Sequence, residues 1–153
     1  MVRDEVTRRG LWVSTNAAVI DPSDYLAVAG EVWRTTSQLA VRSPQTGTVQ
    51  AHHVIQSFDP SQEHDLNTVH NVGARLADAI TAGENEYLVA THVDAYPVVN
   101  HIIFNAVSFE TGRRYRVQKS TLARIRQVSN ELCVTEGWRG SAALLSVFWG
   151  GGR

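Results

Sequence analysis

The chain has 153 residues, 43% of them hydrophobic and 19% charged, which is enough to bury a sizeable core and unlike a disordered tail. A formal net charge of -1 gives no overall attraction for polyanions, so any contact with nucleic acid must come from a local patch. The lone Cys133 excludes an internal disulfide, suits a reducing cytoplasm and reads as buried packing.

No signal peptide is visible, because Met1 to Gly10 is charged rather than apolar. The first element is a short strand within Leu11 to Val19. Asp21-Pro22 then precedes Tyr25, Ala29, Val32 and Trp33, and the pattern predicts a helix with Asp as cap and Pro in the first turn. SPQTG at 43–47 is the clearest loop. Thr48 to Phe58 is β-branched and apolar, a strand that carries His52 and His53 on opposite faces. Asp59-Pro60 repeats the start signal before Leu66, Val69, Leu76 and Ile80, and this second helix should stop at Gly83. His64 and His70, six residues apart on nearly opposite faces, read as solvated helix residues rather than a ligand pair.

Strands follow over Glu86 to His92 and over Val98 to Phe109, the longest, with a turn at Thr111-Gly112 leading to a strand from Arg114 to Val117. A third helix takes the period Leu122, Ile125, Ser129, Leu132 and ends at Gly137. SAALLSVFWGGGR after it reads as no folded extension, and its apolar part, Ala142 to Trp149, is too short to span a membrane. With no repeat and no dividing linker, the order predicts one α+β domain over 1–153, a mostly antiparallel central sheet flanked by helices, with 138–153 unassigned.

The chemistry concentrates at Thr91 to Asn105. His92 and His101 lie nine residues apart, and Asp94 shares a strand face with His92 if that strand continues. Antiparallel pairing across 95–98 would bring them together. Two imidazoles and a carboxylate suit Mn²⁺, Fe²⁺, Zn²⁺ or Ni²⁺, with Asp94 as ligand or as the partner that fixes a histidine tautomer. The alternative is two strand histidines hydrogen-bonded to backbone. His53 or His52 could approach the same centre. Val99, two positions before His101 on the same face, stands where a third ligand would be expected. Arg113, Arg114, Arg116, Lys119, Arg124 and Arg126 form an acid-free basic run with Tyr115 interleaved, able to track a phosphate backbone with the ring available for base stacking. A solvated turn and helix face is the other reading.

AHHVIQSFDP, the helix after it, EYLVATHVD, NHIIFNAVSFETGRRY and IRQVSNELC together resemble the relaxase/mobilization nuclease family of plasmids and conjugative elements, over about residues 13–137. Such relaxases are similar to the HUH endonucleases. The resemblance implies an antiparallel sheet flanked by helices, a divalent metal (Mn or Mg) held by three histidines, and a tyrosine that attacks a phosphodiester at a transfer origin on single-stranded DNA, in company with other relaxosome proteins. By position, His92 and Asp94 match the family's H-x-D and His101 the last histidine of the HUH pair. Val99 replaces the other histidine of that pair, and Pro97 stands where many members have a further one. In the family the tyrosine lies in a segment ahead of the first strand; VRDEVTRRG, in that place here, holds none, which leaves Tyr96 as the one replacement candidate. The resemblance therefore implies a cytoplasmic, relaxase-like mobilization protein with impaired or absent nicking. A small metal-dependent phosphoesterase unrelated to conjugation would fit His92, Asp94 and His101 alone.

Overall fold

The computed structural model describes residues 12–43, 45, 47–93 and 97–149, the stretch 143–149 by backbone alone. Strands β1 (Val13–Thr15), β2 (Val49–Phe58), β3 (Tyr87–His92), β4 (Val99–Asn105) and β5 (Ser141–Trp149) form one sheet in the order β1-β3-β4-β2-β5. Every neighbouring pair is antiparallel. Helices α1 (Tyr25–Leu39), α2 (Leu66–Thr81) and α3 (Thr121–Thr135) complete the α+β arrangement.

Side-chain alternation gives the sheet two different faces. Val54, Val89, Ile102 and Phe104 point to one side and form a buried cluster with Leu76, Ala77 and Ile80 of α2 and Ile125 of α3. Phe58, Val69, Val72 and Cys133 extend that core toward the helix ends. The opposite face carries Ala51, His53 and Ile55 of β2, Leu88, Ala90 and His92 of β3, and Val99, His101 and Ile103 of β4. Among the described residues only α1 lies over it, at the end near Asn105, and Ile103 is 38% exposed.

Local starts and stops differ from expectation in instructive ways. Neither Asp-Pro pair caps a helix. Asp21 and Asp59 instead accept hydrogen bonds from the backbone and hydroxyl of Ser23 and Ser61, closing two equivalent turns. The caps are the next aspartates: Asp24 accepts from the Ala27 amide and Asp65 from the Thr68 amide. The left-handed stop of α2 is shared by Ala82 and Gly83. β4 ends at Asn105, sooner than expected, because the Asn105 side chain accepts the Val107 amide and turns the chain out of the ladder. The expected strand at 114–117 reduces to one bridge between Val107 and Arg114. Gly112 makes that turn, with φ of 69° and the Leu39 carbonyl oxygen 2.0 Å from where a Cβ would stand. Segment 141–149, left unassigned and read as no folded extension, is β5: it covers the outer edge of β2, which it pairs along most of its length. No helix among the described residues is long and apolar enough to cross a membrane.

A buried polar chain crosses the helical side of the sheet. His70 of α2 meets the Thr91 hydroxyl at 2.7 Å, and Thr91 donates to the Asn100 side-chain oxygen at 2.6 Å. The Asn100 amide donates to Gln56 at 3.0 Å and to the Val69 carbonyl at 2.8 Å. Gln56 then donates to Ser129, which bonds Ser141 at the start of β5. Gly73 is part of this design, since a Cβ there would lie 2.6 Å from the Asn100 amide nitrogen. His70 is thus a structural residue rather than a solvated one.

Replacing Asn100 with Leu should cost about 3 kcal/mol, because Gln56, Thr91 and the Val69 carbonyl lose a buried partner; urea melts of the variant measure it. His52 is the contrasting case. It is 2% exposed, stacks on Phe104 at 5.1 Å, and neither ring nitrogen has a hydrogen-bond partner. Burial pushes its pKa down to about 4. His52→Leu should therefore stabilise the fold by about 1 kcal/mol, read as a higher Tm in thermal scans.

Candidate metal centre

Three histidines meet on the open face of the sheet. His101 is central on β4, with His92 on β3 to one side and His53 on β2 to the other. The register places His92 opposite Val99 and His53 opposite Ile103, so each lies diagonal to His101. Ring centroids are 4.2 Å apart for His92 and His101 and 5.1 Å for His53 and His101. His53 Nε2 and His101 Nδ1 stand 2.9 Å apart and share a hydrogen bond. Val99, half-buried beside them, offers no donor atom.

Burial favours the neutral form of two of these rings, His101 and His53. Burial, then the neighbouring His92 and His53 rings, push His101 down to about 4. Burial also lowers His53. A neutral imidazole keeps a lone pair, so the donor set suits a first-row divalent ion. Its posture does not yet suit one: among the described residues no group of three or more His, Cys, Asp or Glu side chains is posed to hold a metal. The His53 and His101 rings stack and the His92 ring is tilted 41° from His101, and the His53–His101 hydrogen bond must open before both nitrogens can face an ion. The residues therefore fit the group in chemistry, with a ring rotation as the requirement. Asp94 and Tyr96 lie outside the described residues.

The basic run is not brought to this face as one patch. Arg124 and Arg126 are exposed on α3, which packs against the other face of the sheet. Arg113, Arg116 and Lys119 are exposed on the segment between β4 and α3. Arg114 is half-buried and donates to the Val49 carbonyl at 2.9 Å. Tyr115 turns inward, its ring 4.8 Å from Phe104 and 5.3 Å from His52, so it packs the core instead of presenting a stacking surface. On the histidine face, sequence reasoning missed the part played by α1. Thr35 donates to the buried Glu86 carboxylate, and Asn105 donates to the same carboxylate at 3.2 Å and to the Val32 carbonyl at 3.3 Å. The available signal was an acid and an amide standing in otherwise apolar strand ends.

A family model described as "Relaxase: MobA/VirD2-like, nuclease domain" matches residues 9–138. Among curated proteins, the group II intron-interrupted relaxase LtrB of Lactococcus lactis subsp. cremoris is 36% identical over 47% of this chain and 15% of its own length. A protein rlx of Staphylococcus aureus is 39% identical over 58% of this chain and 27% of its own length. The chain thus spans under a third of the curated relatives it matches. No solved structure gives a significant match. With the family model covering most of its length, and an antiparallel sheet that carries clustered histidines, the chain belongs to the MobA/VirD2-like relaxase nuclease-domain family.

Proposed function

We propose that this chain acts on single-stranded DNA at a transfer origin as the core of a relaxase-like mobilization protein, with weakened strand nicking. The observation that carries the reading is the ring cluster of His53, His92 and His101 on the open face of a relaxase-family sheet. His92 and His101 would hold a divalent ion, with His53 as third imidazole in place of the residue that Val99 cannot supply. Asp94 is proposed as a further ligand or as an outer partner of a histidine. When bound, such an ion polarises a phosphoryl oxygen and stabilises charge that develops on it. The protein's own contribution is to hold the imidazoles on a rigid sheet, where burial favours the unprotonated form of His53 and His101.

Weak nicking follows from the geometry of the ligands. Three imidazoles in a diagonal row across β3, β4 and β2 make a wider arrangement than two histidines two residues apart on one strand. Val99 adds an apolar wall where the second of that pair would stand. The exposed Arg113, Arg116 and Lys119 are proposed to contact the DNA backbone near the end of α1, with Arg114 positioned behind them and Tyr115 as core support. Arg124 and Arg126, on the far face, would serve only a strand or partner that wraps around α3. Tyr96 is the candidate nucleophile within this chain. Other relaxosome proteins are the proposed partners.

Two outcomes are expected. The purified chain should give no nicked circles from supercoiled plasmid carrying a transfer origin with Mn²⁺ or Mg²⁺, and a covalent protein–DNA adduct on a denaturing gel would contradict this. In calorimetric titrations with Mn²⁺, Val99→His should tighten binding about tenfold or more and His53→Ala should weaken wild-type binding by a similar factor. An unchanged curve for both variants would remove the metal from this face.

A further inference from the structure

The face that carries the histidines also carries a pocket. It lies between α1 and the sheet, has a volume of about 320 Å³, and is walled by Tyr25, Trp33, Leu88 and Ile103 with Glu86 and Asn105 among its deeper residues. That volume is at the lower end of small-molecule sites, roughly 300–1,000 Å³, and fits one nucleoside better than a peptide segment. Ile103 is two residues along β4 from His101 and directly opposite His53. The mouth of the pocket therefore begins about 7 Å from the imidazoles, one repeat along the strand.

The lining selects among occupants. Trp33 is 58% exposed and Tyr25 47%, both on the pocket side of α1, and offer flat apolar surface for a ring. A wholly apolar ligand would have no use for a buried carboxylate, and a phosphate would be repelled by it. Glu86 accepts from the Thr35 hydroxyl with one oxygen and from the Asn105 amide with the other. A carboxylate has about four acceptor sites, so each oxygen keeps capacity for another donor. The edge of a base that bears an exocyclic amino group supplies such a donor at its corner, whereas thymine has carbonyls at both corners and its one N–H recessed between them.

We infer that this pocket receives an amino-bearing nucleobase (cytosine, adenine or guanine) rather than thymine, from the single strand that crosses the histidine cluster. The inference rests on the DNA reading above and gives it a base preference at one position. The ring lies between the aromatic side chains of α1 and the strand residues, with its amino group toward Glu86.

Fluorescence anisotropy with labelled oligo-dC, oligo-dA and oligo-dT of equal length tests it. The chain should bind oligo-dC and oligo-dA about tenfold more tightly than oligo-dT. Glu86→Gln, whose amide can donate as well as accept, should erase that preference. Ile103→Trp fills the pocket from a position that is already exposed, so it should keep the wild-type circular dichroism spectrum while weakening oligo-dC binding about tenfold. It also decides the matter if Glu86→Gln fails to fold. Equal affinity of the wild type for all three oligonucleotides, or Ile103→Trp binding as the wild type does, would overturn the pocket while leaving the DNA reading in place. No binding of any oligonucleotide would overturn both.

Discussion

Asn100 is the side chain on which the rest of the architecture depends. Fully buried, it joins β4 to β3 through Thr91, to β2 through Gln56 and to α2 through the Val69 carbonyl. A one-residue slip of β4 would turn this amide to the open face and carry His101 into the core. The amide therefore specifies register as well as stability, because only one pairing satisfies all three partners. The arrangement of His92, His101 and His53 on the other face is a consequence of that register. The site is positioned by a residue that never reaches it, and Gly73 is glycine so that the helix can come close enough to take part.

The two faces also divide the chemistry. On the helical side, apolar clusters surround a polar chain that runs from His70 to Ser141, and its members are paired. His52, outside that chain, has both ring nitrogens unsatisfied. On the open side, α1 is attached largely by hydrogen bonds from Thr35, Thr36 and Asn105, and few of its apolar residues are buried. A helix held by a polar clasp near one end leaves space beneath the remainder. That space is the pocket, and its position beside the imidazoles follows from where the clasp sits on β3 and β4.

Much of this was legible in the residues. Period-2 runs located β2, β3 and β4, and period-3.6 runs located all three helices. Alternation alone placed His52 and His53 on opposite faces and Val99 beside His101. Strand order was not legible, because nothing local tells His53 that β2 will lie next to β4 rather than β3. The proximity of His53 to His101 therefore had to come from the sheet. The basic run shows the opposite failure. Charge density in sequence carries no information about sides, and the turn at Gly112 sends Arg113 and Arg124 to different parts of the surface. Tyr115 was read by its neighbours in sequence, whereas its ring is claimed by Phe104 and His52. β5 escaped notice because its partner edge on β2, not its own pattern, gives it a reason to form.

Val99 changes the physics of the histidine group as well as its ligand count. It stands opposite His92 and in line with His101, an apolar side chain on one flank of the cluster. Desolvation is the first cause of the lowered pKa values of His53 and His101. A valine there offers an ion no nitrogen, while burial favours the unprotonated form of His53 and His101. The histidines respond by bonding to each other: the His53–His101 contact satisfies one nitrogen on each ring. Any ion must compete with that hydrogen bond, and any ion that wins must draw ligands from three strands instead of two. The weakness proposed for this centre accordingly comes from two separate sources, a missing donor and a hydrogen bond that must be broken, and a single substitution at Val99 addresses only the first.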